Sequence, residues 1–339
     1  MPGPLLDTLK GTKQDLAPVW LMRQAGRYLP EYRKLRAEKG GFLELVYDSA
    51  AAAEITVQPI RRFGFDGAIL FSDILIVPHA MGQGLEFLAG EGPKLSPTLL
   101  EAGLADFTEQ KDRFEAVYET VRLTRGQISD RVTMLGFAGS PWTVATYMIA
   151  GEGSKNQEPA RLLAYRDPAR MQAICDAIVE VSIEYLRGQI DAGAEAVQLF
   201  DSWAGSLAPD EFERWVIAPN AKLTAAIKAS HPDTPVIGFP KGAGAKLSAY
   251  ARETGVDAVG LDETLDPAWA HASLPEGLPV QGNLDPLLVE AGGPMLPKRI
   301  RHILDAFEDR PHVFNLGHGI GQFTPIPHVE ELLAAVRGG

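Results

Sequence analysis

"TMLGFAGSPWTVATY", residues 133–147, joins two kinds of pattern with almost nothing between them. Its first five residues are apolar without alternation, which suits a strand covered on both faces, as in a parallel sheet. Gly139, Ser140 and Pro141 punctuate the run, and the residues after "GSPW" read as a helix that carries Tyr147. A strand leading straight into a helix is the first half of a βαβ unit.

The same kind of short apolar run recurs along the chain. It is found at 19–22 (VWLM), 68–72 (AILFS), 197–201 (VQLFD), 236–240 (VIGFP), 258–262 (AVGLD), 279–283 (PVQGN) and 313–317 (VFNLG), giving eight runs in all. Helical patterns lie between them. The clearest covers 166–193: Asp167 is placed to cap it, Pro168 suits its first position, and Gly193 suits its end. Met171, Ile174, Ile178, Val181, Tyr185 and Ile190 form its apolar stripe. Another helix occupies 48–64, and a third runs from about Asp210 until Pro219 breaks or kinks it. Eight strands alternating with helices predict a (β/α)8 TIM barrel of the α/β class, with residues 1–339 as a single domain. A doubly wound open sheet is the alternative. The long gaps, 22–68 and 72–133, require extra elements, and the Gly- and Pro-rich stretch 81–97 reads as a loop or small hairpin.

Bulk properties narrow the function. Of 339 residues, 45% are hydrophobic and 22% charged, which supports a large core. The net charge of -12 argues against general nucleic-acid binding. Cys175 is the sole cysteine, so neither an internal disulfide nor a cysteine-based zinc site is expected. No apolar run approaches a membrane span, and the first residues lack a signal-peptide pattern, so a cytoplasmic protein is expected.

In a barrel the active site forms where strands end. A polar group follows each run: Arg23, Gln24 and Arg27; Ser72 and Asp73; Ser140, Thr143 and Tyr147; Asp201 and Ser202; Lys241; Asp262; Asn283 and Asp285; and His318. Loops are polar in any case, which accounts for about half of these. It does not account for "PVWLMRQAGRYLPEYRKLR" (18–36), where Arg23, Arg27, Arg33, Lys34 and Arg36 face the single acid Glu31. Arginine forks match carboxylate or phosphate, so this cluster on an acidic chain points to an anionic ligand. If the segment turns helical after Leu21, Arg23 and Arg27 share a face; the competing reading is a solvated basic turn, or pairing with Glu31. Asp73, flanked by apolar runs, is expected to be poorly solvated and to need donors, although a turn or helix-cap aspartate fits equally. His318, in "GHG", is a candidate acid, base or donor, against an incidental loop histidine. Tyr147 is equally a core-packing residue. "GFPKGAG" (238–244) has the look of a phosphate-cradling loop but matches no nucleotide fingerprint. No metal-binding spacing occurs.

"PVWLMRQAGRYLPEYR" and "GFAGSPWTVATYMIAG" resemble the two signature stretches of the uroporphyrinogen decarboxylase family, and "PIRRFGFDGAILFSDILIVPHAMG", "LFDSWAG" and "NLGHGI" are similar to its other segments. The resemblance runs from about residue 4 to the C-terminal helix. It implies a (β/α)8 barrel, a homodimer, no metal and no organic cofactor. It implies a reaction in which four acetate side chains of uroporphyrinogen III lose carboxylate to give coproporphyrinogen III. It also implies roles. Arg23, with Gln24, Ala25, Gly26 and Arg27, would bind substrate carboxylates, joined by Arg36. Asp73 would receive the pyrrole N–H groups, and Tyr147, Ser202 and His318 would complete the site. Two rivals remain open: a corrinoid- or thiol-dependent methyltransferase on the same barrel, and a non-catalytic porphyrin-binding protein.

Overall fold

A computed structural model describes residues 3–88 and 92–338. Its strands are β1 (Gly67–Ile69), β2 (Gly84–Leu88), β3 (Gly92–Ser96), β4 (Thr133–Gly139), β5 (Ala196–Asp201), β6 (Val236–Pro240), β7 (Ala258–Gly260), β8 (Val280–Gln281) and β9 (His312–Val313). All but β2 and β3 form one seven-stranded parallel sheet in the order β1-β4-β5-β6-β7-β8-β9. Neighbours in the sheet are neighbours in the chain order, without the reversal that defines a doubly wound sheet, so that alternative falls. β2 and β3 pair as the small antiparallel hairpin expected of 81–97, with Gly84 opposite Ser96; its turn lies outside the described residues.

The sheet is strongly curled, and buried side chains show how far. Gln281 on β8 donates from Nε2 to Gln198 Oε1 on β5 at 2.9 Å, although β6 and β7 lie between them in the sheet. Gln281 Oε1 in turn accepts from the Trp20 indole at 2.9 Å, and Gln198 Nε2 lies 3.7 Å from Met22 Sδ. Such contacts need the faces of distant strands to look at one another. Each amide is buried and satisfied, which removes the cost of a polar group in an apolar interior.

The first run departs from expectation. It contributes a single parallel bridge, Val19 with Phe314, in place of a strand. Phe314 N–H donates to Pro18 O at 2.9 Å, and on the other side Asp66 N–H donates to Val19 O at 2.8 Å. Beyond Trp20 the backbone donors find side chains instead of a neighbouring strand: Leu21 N–H goes to Gln24 Oε1 (3.0 Å) and Met22 N–H to Asn315 Oδ1 (3.0 Å). The ladder therefore stops where the arginine segment begins.

The helices follow the sequence closely. Asp167 accepts from Arg170 N–H at the start of Pro168–Asp191, and Asp48 accepts from Ala51 N–H at the start of Ser49–Phe63. Met171, Ile174, Ile178, Val181 and Tyr185 are buried, and Gly193 follows the helix with φ 118°. At Pro219 the helix is distorted and not broken. Pro209–Phe212 continues through a π-helical turn, Glu213–Ile217, into Ala218–Ser230. The wider turn lets the chain pass a residue that has no N–H to give.

Candidate functional site

The arginine segment is a turn and not a helix. Arg23 has φ 61°, the left-handed region that a non-glycine residue adopts under constraint. The expected shared helical face of Arg23 and Arg27 is thus replaced by a braced loop; the next helix begins only at Pro30 and runs to Lys39. The brace is Gln24, fully buried, whose Nε2 donates to Gly67 O on β1 at 2.8 Å while its Oε1 serves Leu21. Its side chain is wholly committed to the backbone, and Ala25 and Gly26 continue the turn. Arg23 and Arg27 are left exposed. Arg36, on the helix, lies near the Tyr32 hydroxyl, and the charges of Arg36 and Arg27 both act on it. Glu31 does not neutralise them, because Arg62 takes it in a two-point pair at 2.7 and 3.0 Å. Among the described residues Arg23, Arg27 and Arg36 have no carboxylate partner.

Asp73 follows β1. Its Oδ1 accepts from Leu75 N–H at 2.8 Å, so it does serve as a turn aspartate. It also lies deep in the protein while keeping part of its surface open. Burial raises its carboxyl to about 6, against the opposing pull of the Leu75 N–H and the Arg23 charge. Tyr147 stands nearby on Pro141–Ala150, with its ring 6.3 Å from Trp203. Burial raises its hydroxyl, and the Asp73 charge adds to that. His318 closes the constellation. Burial lowers its pKa to about 3, with the Arg23 and Lys241 cations lowering it further. Its imidazole is 6.4 Å from the Phe239 ring on β6. The charge of Arg23 is felt by Asp73, Tyr147 and His318 alike, which puts these four together.

The glycines flanking His318 have structural work. A Cβ on Gly319 would lie 2.4 Å from Arg23 Cδ, and one on Gly317 would lie 2.1 Å from Glu263 N. One glycine admits the arginine; the other admits the backbone after β7. Beside this group opens a cavity of about 600 Å³, lined by Ser202, Trp203, Lys241, Gly242 and the loop 153–157 among others. Its walls stop short of Arg23, Asp73 and His318. Tyr147, packed on Trp203, and Lys241, acting on His318, join the two regions.

The other strand-end residues hold the fold. Asp201 is fully buried and accepts from Thr143 Oγ1 (2.5 Å) and Asn220 Nδ2 (3.4 Å), while Ser140 Oγ donates to Asn220. Burial lifts its carboxyl to about 7. Asp262 holds Gly242 N–H and Thr264, Asn283 Nδ2 donates to two carbonyls, and Asp285 caps Pro286–Ala291. Cys175 is buried in its helix, its thiol pushed up to about 12. Among the described residues no group of three or more His, Cys, Asp or Glu stands together as a metal site.

The family model for uroporphyrinogen decarboxylase (URO-D) matches residues 3–339. The chain belongs to the uroporphyrinogen decarboxylase family. Relatives bearing that name include one from Erythrobacter litoralis, 69% identical over 337 residues and covering 99% of each chain. Another, from Novosphingobium aromaticivorans, is 69% identical over 338 residues and covers 100% of this chain and 99% of that one. In three dimensions the chain is similar to a methyltransferase from Methanosarcina mazei, with a TM-score of 0.81 at 18% identity, covering 99% of this chain and 97% of that one. At that identity the likeness concerns the fold alone.

Of the residues singled out in the sequence, the structure brings Arg23, Asp73, Tyr147 and His318 near one another, puts Ser202 in the cavity beside them and sets Arg27 and Arg36 near Tyr32. The sequence did not single out the loop 153–157 or Glu263. The loop carried a weak signal, since "GEGSKNQ" is a polar, glycine-containing break after a helix. Glu263 carried none; only the fold brings it to Lys241.

Proposed function

We propose that this chain removes the four acetate carboxylates of uroporphyrinogen III, giving coproporphyrinogen III and CO2 in porphyrin biosynthesis, without metal or organic cofactor. The observation that carries the reading is a deep-set carboxylate, Asp73, within reach of the charge of an otherwise unpaired Arg23, in a chain matched end to end by the family. In this reading Arg23, Arg27 and Arg36 take carboxylate arms, and Ser202, Tyr147 and His318 hold the macrocycle's edge. Asp73 faces the pyrrole N–H groups.

The chemistry needs an electron sink. Protonating the pyrrole carbon next to the one that bears an acetate makes the ring cationic and keeps the acetate-bearing carbon conjugated with the cationic nitrogen. The electrons of the breaking C–C bond then flow into the ring as CO2 leaves, a second proton completes the methyl, and the ring carbon gives back the first proton as the pyrrole regains its aromaticity. The net change per arm is one proton taken up and one CO2 released. A preorganised carboxylate under the nitrogens stabilises the cation. With its pKa lowered to about 3, His318 enters at neutral pH as a neutral hydrogen-bonding imidazole. The hydrogen bonds of residues 18–19 to both edges of the sheet support closure into an eight-stranded barrel, with residues 1–339 as one domain. The family resemblance supports a homodimer working in the cytoplasm, and no helix among the described residues is long and apolar enough to cross a membrane.

The test is turnover of uroporphyrinogen III by exhaustively dialysed, chelator-treated protein, followed by chromatography of the oxidised products. Coproporphyrin is expected. Binding without conversion would favour the non-catalytic porphyrin carrier, and activity only after adding zinc or a corrinoid would favour the methyltransferase.

A further inference from the structure

Lys241 stands at a junction. Its backbone is fixed on both sides: its N–H donates to Asp201 O on β5 at 3.0 Å, and the next N–H, of Gly242, donates to Asp262 Oδ2 beyond β7 at 2.8 Å. Its side chain lines the cavity with Ser202. Its charge also acts on His318, so it faces the inner cluster as well.

Its one carboxylate neighbour holds it loosely. Glu263 Oε1 is 3.3 Å from Lys241 Nζ, longer than the roughly 2.7–2.9 Å of a tight charge-assisted bond. The second oxygen, Glu263 Oε2, is buried with no hydrogen-bond partner. An ammonium carries three donors and this single long contact takes at most one of them, so donors remain for another acceptor.

Backbone strain points to the same cavity. Among the described residues three non-glycine positions have positive φ: Arg23 (61°), Asn156 (56°) and Gln157 (53°). Asn156 and Gln157 line the cavity with Lys241, and Arg23 belongs to the cluster beside it. Held strain of this kind gathers at ligand-binding surfaces.

We infer that Lys241 is a further substrate-binding residue, which takes a carboxylate arm of the porphyrinogen in the cavity beside Ser202, with Glu263 as the displaceable partner that holds its ammonium when the site is empty. This rests on the decarboxylase reading above. The octacarboxylate has more arms than the three signature arginines engage, and each arm brought near the protein needs a counter-charge. Lysine suits an arm whose approach changes as the macrocycle re-enters in new orientations. Its compact ammonium can donate in many directions, whereas a guanidinium fork fixes one plane.

The experiment compares the wild type with Lys241→Ala, Lys241→Arg and Glu263→Gln, using anaerobic uroporphyrinogen III as substrate and coproporphyrinogen III as inhibitor. Lys241→Ala is expected to raise KM about tenfold, the loss of one charge-assisted contact, with kcat changed less than about threefold. Lys241→Arg keeps the charge and is expected to retain most of the affinity. Glu263→Gln removes the competitor, so KM is expected to stay or fall. A merely structural ion pair would instead lose function in the same direction from either end. Coproporphyrinogen lacks acetates: weakened inhibition in Lys241→Ala assigns the arm as a propionate, and unchanged inhibition assigns it as an acetate. A KM for Lys241→Ala within twofold of the wild type, or a parallel rise in Glu263→Gln, overturns the assignment while leaving the decarboxylase reading intact. A wild type that forms no coproporphyrinogen overturns both.

Discussion

Asp73 is stable in the wrong state for its work. Its carboxyl titrates at about 6 in the fold, against an ordinary carboxylate value near 4 in an unfolded chain. The folded protein therefore binds that proton more tightly than the unfolded one. The stability it contributes is present in full below about pH 4 and is lost as pH rises through about 6. Ionised Asp73, the form that would stabilise a pyrrole cation, is the less stable form of the protein. Asp73→Asn is therefore expected to lower kcat on the order of 10²-fold or more and, at pH 8, to raise the thermal midpoint. Calorimetry at pH 8 and pH 4 checks the second half, because the gap should close at the acid end, where the wild-type carboxyl is already protonated. Near-normal turnover, or a lower midpoint at pH 8, would contradict this account. In the wild type kcat/KM should decline as pH falls through about 6.

The loop after β9 shows what an element supplies beyond its chemical residue. "NLGHGI" is legible as a histidine between glycines, and in the structure each glycine also admits a neighbour. Gly319→Ala would meet the flexible end of Arg23, which can swing aside, so a several-fold rise in KM with little change in thermal midpoint is expected. Gly317→Ala would meet the backbone of Glu263, which cannot move freely, so the loss should fall on stability, at about 1–3 kcal/mol of overpacking. Kinetics and thermal melts of the two variants separate these effects. The same limit applies to other elements. The cap Asp167 and the stripe on Pro168–Asp191 were readable because they act within one segment. The end of the ladder at Trp20, the π turn before Pro219 and the left-handed Arg23 were not, because each is decided by a partner far along the chain or by a local geometry that composition does not encode.

At the scale of the whole molecule, eight similar arms meet one constellation, and its parts need not serve each step equally. His318 shares the influence of Arg23 and Lys241, so its contacts should fall on carboxylate arms, whereas the place proposed above for Asp73 is the common centre of the ring. His318→Asn is therefore expected to slow the four losses unevenly and let intermediates with seven, six or five carboxylates accumulate. Asp73→Asn is expected to slow all four alike. Time-resolved chromatography of the oxidised products decides it; identical profiles after scaling for rate would remove the distinction. That one chain can hold both roles together follows from its ends meeting. Trp20 bonds to Gln281, Met22 N–H to Asn315, and Ile320 N–H to Met22 O at 2.9 Å. During translation these partners leave the ribosome almost a full chain length apart, and residues 18–23 emerge first with nothing to brace them. The turn that carries Arg23 can thus be braced only once residues made near the end of synthesis have joined residues made near its start. A prematurely terminated chain lacks those braces, so truncation after about residue 280 is expected to loosen the turn although every one of its own residues is present.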